Sequence, residues 1–107
     1  MARHARASVG CVLMATELTH DAERKRYTYW VDGDEVGLTD YRLRDGAIDI
    51  VHTEIDPARR GAGLGRRMVQ GVLDDIRASE KARVIPSCPF VARFIDEHPD
   101  YKELLTR

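Results

Sequence analysis

Cysteine is scarce in this sequence: among its 107 residues only Cys11 and Cys88 occur, the first near the amino terminus and the second between Pro86 and Pro89. Two such unlike contexts do not make a disulfide framework, and a reducing, cytoplasmic setting is the expectation. A basic excess is missing too. Lys and Arg number 17 against 18 Asp and Glu, for a formal net charge of −1. A nucleic-acid binder carries a basic surplus across its domain, so nucleic acid is not expected as a partner and any anion site must be local. Metal-ligand spacing is lacking. His4, His20, His52 and His98 are dispersed and neither cysteine has a Cys or His neighbour at zinc spacing, so no metal is expected. Long apolar runs are absent as well. The stretch from Val9 to Ala15 is short and meets Glu17 with no small-x-small cleavage site, which argues against a signal peptide and against a membrane anchor. A lipoprotein reading of Gly10-Cys11 fails for want of apolar residues before the cysteine. Because Glu17 is the first acidic residue, an organelle presequence stays open, but the simpler expectation is a flexible extension over 1–14 and one domain over 15–107. Repeats and low-complexity tracts are absent.

What is present is the profile of a soluble globular domain, with 43% hydrophobic and 33% charged residues. Tyr27 to Val31 is aromatic and β-branched and runs into Asp32-Gly33, a dipeptide that favours a tight hairpin. A second strand is expected from Glu35 to Arg44, its alternation changing phase near Thr39-Asp40 through a bulge, and a second tight turn at Asp45-Gly46. The third strand, Ala47 to Ile55, is read with Ile48, Ile50, His52 and Glu54 on one face and Val51, Thr53 and Ile55 on the other. Pro57 ends it. Leu64, Met68, Val69, Val72, Leu73 and Ile76 then recur at helical spacing to about Ser79. Val84-Ile85 is a short strand stopped by Pro86, and Ser87-Cys88-Pro89 opens a second helix with Phe90, Val91, Phe94 and Ile95 as its apolar face. Tyr101 to Leu105 adds a last helical turn, with Tyr101 packing there. The expected class is α+β, a mostly antiparallel sheet with two helices.

Between the third strand and the first helix lies Arg59-Arg60-Gly61-Ala62-Gly63-Leu64-Gly65-Arg66-Arg67. Glycines let a backbone approach a ligand closely, and the first N–H groups of a helix lack internal partners and point outward with the positive end of the helix dipole. Phosphate is the natural guest, although a strand-to-helix turn that needs glycine for its own shape is an equal reading of the spacing. The nucleotide triphosphatase loop requires Gly-Lys-Ser/Thr, and the dinucleotide fingerprint requires Gly-x-Gly-x-x-Gly after a parallel strand. Neither fits.

Arg60-Gly61-Ala62-Gly63-Leu64-Gly65 does resemble the Arg/Gln-x-x-Gly-x-Gly/Ala signature of the GCN5-related N-acetyltransferase superfamily. His52-Thr53-Glu54-Ile55-Asp56-Pro57 is similar to the strand before that signature, and Cys88-Pro89-Phe90 with His98-Pro99-Asp100-Tyr101 resembles a small single-domain branch of it. The resemblance implies a minimal fold of that type whose co-substrate is acetyl-coenzyme A. In it Gly61, Ala62, Gly63, Leu64 and Gly65 hold the pyrophosphate, the main chain at Glu54-Ile55 pairs with the pantetheine arm, and Arg59 and Arg60 reach the phosphates. The acceptor it implies is an amine, on a small molecule or on a protein lysine or amino terminus. Most of the amino-terminal strand and helix pair that builds the acceptor side in larger members is missing, so a non-catalytic acyl-coenzyme A-binding module is the alternative.

An amine acceptor with a reference pKa of about 10.4 is mostly protonated at neutral pH and needs a base. His52 and Glu54 are the candidates, set against plain surface roles for both. Cys88, at a helix start, is the candidate to accept the acetyl group or to protonate the departing thiolate, against the alternative of a small buried apolar residue. The chain is expected to be a monomer, or a weak homodimer through an exposed strand edge.

Overall fold

Asp32 and Gly33, like Asp45 and Gly46, all adopt positive φ, between 50° and 88°. That is the backbone twist a two-residue hairpin turn requires. In the computed structural model, which describes residues 15–79 and 81–107, these turns fold β2 (Arg26–Val31), β3 (Asp34–Arg44) and β4 (Ala47–Ile55) into an antiparallel meander. The expected extension over 1–14 lies outside the described residues. An outer strand, β1 (Thr16–Asp21), pairs with β2 and was not anticipated, since Leu18 is its only large aliphatic residue. At the other edge β5 (Val84–Pro86) runs parallel to β4, and the strand order is β1-β2-β3-β4-β5.

Helix α1 (Leu64–Ser79) buries the six apolar residues that its periodicity singles out. Its partners are Tyr27, Tyr29 and Val31 of β2 and Ile48 and Ile50 of β4, joined by Val91, Phe94 and Ile95 of α2 (Pro89–Glu97). Each such side chain contributes roughly 1.5–3 kcal/mol on leaving water. Two phenols fix the helix in place. Tyr27 donates to Asp75 at 2.7 Å, and Tyr101, in a closing 3₁₀ segment (Pro99–Thr106), donates to Asp74 at 2.7 Å with Arg77 lying over its ring. Burial first, and then the bond to Asp74, hold the Tyr101 phenol above its ordinary value. The fold is thus α+β, as the sequence patterning implies.

The phase changes fall on different residues from those expected. Asp40 pairs with His52 but Tyr41 pairs with Ile50, so Val51 is an extra residue on β4 rather than one on β3. The extra residue of β3 is Val36, between the pairs Tyr29–Gly37 and Trp30–Glu35. Cross-strand partners share a face. Thr39–Thr53 and Gly37–Ile55 therefore stand on the same face as Leu43–Ile48 and Tyr41–Ile50. His52 and Glu54 are turned to the opposite face, beside Asp40 and Leu38. This corrects the reading that put Ile48, Ile50, His52 and Glu54 together: simple alternation cannot register a bulge.

Candidate active site

The pairing of β5 with β4 stops at Ile50 and Pro86, where the Cys88 N–H donates to the Ile50 carbonyl at 2.9 Å and the chain turns into α2. Strand β4 continues for residues 51–55 with β3 on one side and no described strand on the other. The outward N–H and C=O groups of this segment form an extended row open to an amide-bearing ligand, which can add to it as a further strand would.

The glycine loop begins where this edge ends. Asp56 accepts a bond from the Ala58 N–H at 3.0 Å and so caps a 3₁₀ turn (Pro57–Arg59). Gly61 and Gly63 follow with φ of 91° and 74°, values that side-chain-bearing residues rarely adopt, and a Cβ at either would meet nothing within 4 Å. The loop therefore borders open space and delivers the chain to Leu64, where the first-turn amides of α1 lack helical acceptors. Of the flanking arginines, Arg59 is paired with Asp34 at 3.1 Å and Arg66 with Glu97 at 3.6 Å. Arg60 stands exposed and is the cation best placed to meet an anion.

Strand edge, loop and helix start enclose a cleft of about 550 Å³. Its wall includes Ile55, Arg59, Arg60, Gly61, Gly63, Leu64 and Gly65, and also His52, Glu54, Met68 and Phe90. Ala62 is exposed and does not line it. Phe90, expected on the buried face of α2, is instead 40% exposed at the mouth of the cleft. It sits at the border of the helix's apolar stripe, which is centred on Val91, Phe94 and Ile95. A Cβ on Gly65 would come within 3.1 Å of the Phe90 ring, so that glycine serves close packing rather than turn geometry.

Side chains from both faces of β4 reach this edge. On one face His52 Nε2 lies 3.0 Å from Glu54 Oε2, both side chains being more than half exposed. An ionised carboxylate can only accept, so Nε2–H donates and Nδ1 keeps its lone pair for another proton. On the other face Thr53 Oγ1 lies 3.6 Å from Cys88 Sγ, within reach of a sulfur hydrogen bond. Cys88 is 7% exposed and sits behind Thr53 rather than in the cleft wall. A second cleft, of about 620 Å³, shares Glu54, Ile55 and Arg60 with the first and is bordered by Glu35, Leu38 and Asp56.

Sequence reasoning missed Thr53, Met68 and Phe90 as contributors. Thr53 had a usable signal, a hydroxyl between two candidate bases on a strand; Met68 had none, being one more member of the helical stripe. Among the described residues no group of three or more His, Cys, Asp or Glu could hold a metal ion, and no helix is long and apolar enough to cross a membrane.

Comparison with known proteins adds a lineage to this geometry. The sequence model of a family described as "GCN5-related N-acetyl-transferase" matches residues 26–104. Protein NATD1 of Bos taurus is 27% identical over 92 residues, covering 84% of this chain and 78% of the relative. Protein NATD1 of Danio rerio is 24% identical over 107 residues, covering 96% of each. Among solved structures, a ribosomal-protein-alanine N-acetyltransferase from Brucella melitensis biovar Abortus 2308 superposes with a TM-score of 0.52 at 12% identity, over 79% of this chain and 89% of that one, a likeness of fold.

Proposed function

Because the chain belongs to the GCN5-related N-acetyltransferase family, we propose that it transfers an acetyl group from acetyl-coenzyme A to an amine. The observation that carries this reading is the outer edge of β4 over residues 51–55, which no described strand covers and which leads into the loop of Gly61 and Gly63. An edge for amides followed by a helix start for phosphates fits a ligand with both in that order. Acetyl-coenzyme A supplies the acetyl group as an activated thioester. In this chain the amides from Gly61 to Gly65 and the first turn of α1 would hold the pyrophosphate. Arg60 adds charge at the rim, and Arg59, already held by Asp34, shapes the loop.

His52 takes the proton of the attacking amine at Nδ1, and Glu54, bonded to Nε2, orients the ring and stabilises the imidazolium. The second cleft brings the acceptor to the same edge, and Glu35, Glu54 and Asp56 along it suit a cationic amine. An outward N–H of residues 51–55 is the donor available to the acetyl oxygen. The return of a proton to the departing sulfur is assigned to Cys88, which lies behind Thr53 on the other face of the strand.

Thermal unfolding with acetyl-coenzyme A tests the binding half. At a hundredfold excess over Kd the expected gain is ~2.7 kcal/mol, a rise in Tm of about 10 °C for a domain of this size. No rise at millimolar ligand would refute it. Coenzyme A release with a panel of monoamines, polyamines and lysine peptides tests the chemical half. Release above the background of Cys88→Ala, His52→Ala and Glu54→Gln is expected with at least one acceptor, and equal rates in all four proteins together with a normal thermal shift would favour a binding module.

A further inference from the structure

We propose that Thr53 is the positioning residue for Cys88: its hydroxyl hydrogen-bonds the cysteine sulfur, holds it beside the open edge of β4 and donates to the thiolate left when the thiol gives up its proton. The catalytic use of the pair rests on the acetyl-transfer reading, whereas the contact itself does not. Thr53 Oγ1 and Cys88 Sγ are 3.6 Å apart, and both residues are tied down by main chain. Thr53 is paired with Thr39 across β3, and the Cys88 N–H is spent on the Ile50 carbonyl while its own carbonyl accepts from Ala92 at 3.0 Å. Cys88 occupies the cap position of α2 without a capping bond from its side chain, so the sulfur is available to Thr53.

The face on which this occurs makes a hydroxyl unexpected. Thr39, the cross-strand partner of Thr53 on the helix-covered face, is wholly buried, and its Oγ1 has no hydrogen-bond partner among the described residues. Valine has the same shape and β-branching and would avoid the desolvation of a hydroxyl. Two threonines side by side there form a polar row that leads to the sulfur, and Thr53 is the member that touches it.

The pair divides the proton traffic between the faces of β4. On one face the amine gives its proton to His52 as the new C–N bond forms. On the other, the Cys88 S–H proton passes to the coenzyme A sulfur as the C–S bond breaks. The resulting Cys88 thiolate accepts from the Thr53 O–H until water reprotonates it, and the proton on His52 leaves to solvent, so the protons balance.

The test needs neither cofactor nor acceptor. Ultraviolet thiolate absorbance, taken as the difference from Cys88→Ser so that Cys11 cancels, is measured at one mildly alkaline pH. In Thr53→Val it should fall about threefold to tenfold, the size of one ordinary lost hydrogen bond, and in Thr53→Ser it should return to the wild-type value. Thr53→Ala, which also lacks the hydroxyl, repeats the measurement if the valine variant does not fold. Unchanged absorbance in the hydroxyl-free variants, or a serine variant as low as valine, would overturn the assignment. In coenzyme A release, Thr53→Val should lower turnover in the wild-type background and add nothing in Cys88→Ala; an equal loss in both backgrounds would also overturn it. Absence of turnover with a normal thiolate response would count against the acetyl-transfer reading and leave the Thr53 contact standing.

Discussion

The two halves of β4 belong to one strand and do opposite things. Residues 47–50 are all buried and are held by β3 on one side and β5 on the other. Residues 51–55 alternate between half-buried and exposed and, among the described residues, are paired on one side only. The change from one regime to the other takes place at Val51, where the bulge and the end of β5 coincide. Rigidity below and availability above come from the same strand, so the open edge is aimed by a core that cannot shift. A site on a bare loop would have no such anchor.

The largest effect expected from breaking this comparison is in the lower half. Ile50→Ala should cost about 3 kcal/mol of unfolding free energy, read from the denaturation midpoint, because a 1% exposed side chain would leave a cavity. In the upper half, His52→Ala and Glu54→Gln should lower amine-dependent coenzyme A release about a hundredfold while moving stability by no more than ~0.5 kcal/mol. A large loss of stability in either would mean that the upper half is structural too. Thr39→Val, beside the upper half on β3, should raise stability by about 1 kcal/mol, since it deletes a buried hydroxyl without a partner. A lower melting temperature would show that a solvent molecule satisfies that oxygen.

The smallest effect lies outside β4 and serves as its reference. Tyr101 is held above its ordinary value by burial and by its bond to Asp74. Its contribution is fully present below the unfolded value of about 10 and is lost as pH rises through the raised folded value. Tyr101→Phe should therefore flatten the alkaline fall of Tm relative to wild type, and an identical slope would exclude the phenol as a source of it.

Much of this was legible in the residues. The Asp-Gly turns, the stripe of α1 and the glycine spacing are local signals, and the chain uses them locally. What was not legible depends on register. Val51 looks like any other strand valine, and only its lack of a partner opposite Asp40 and Tyr41 reveals the bulge that separates His52 and Glu54 from Ile48 and Ile50. The nearness of Thr53 to Cys88, 35 positions apart, follows from a three-residue strand whose pairing could not be read in advance. Phe90 strays from its expected face because α2 turns its stripe toward Val91 and leaves the ring against Gly65.

The bulge also sets where this chain can change length. Residues can be added at the Asp32-Gly33 or Asp45-Gly46 corners and be absorbed by the turn. Removing Val51 would leave the count of β4 matched to β3, with Ile50 still opposite Tyr41 and His52 still opposite Asp40, so each side chain would keep its face and only the bulge would be lost. Thr53 and Ile55 would stay under α1, and His52 and Glu54 would stay on the opposite face. The bulge is therefore a place where this strand can lose a residue without exchanging inside for outside along its edge.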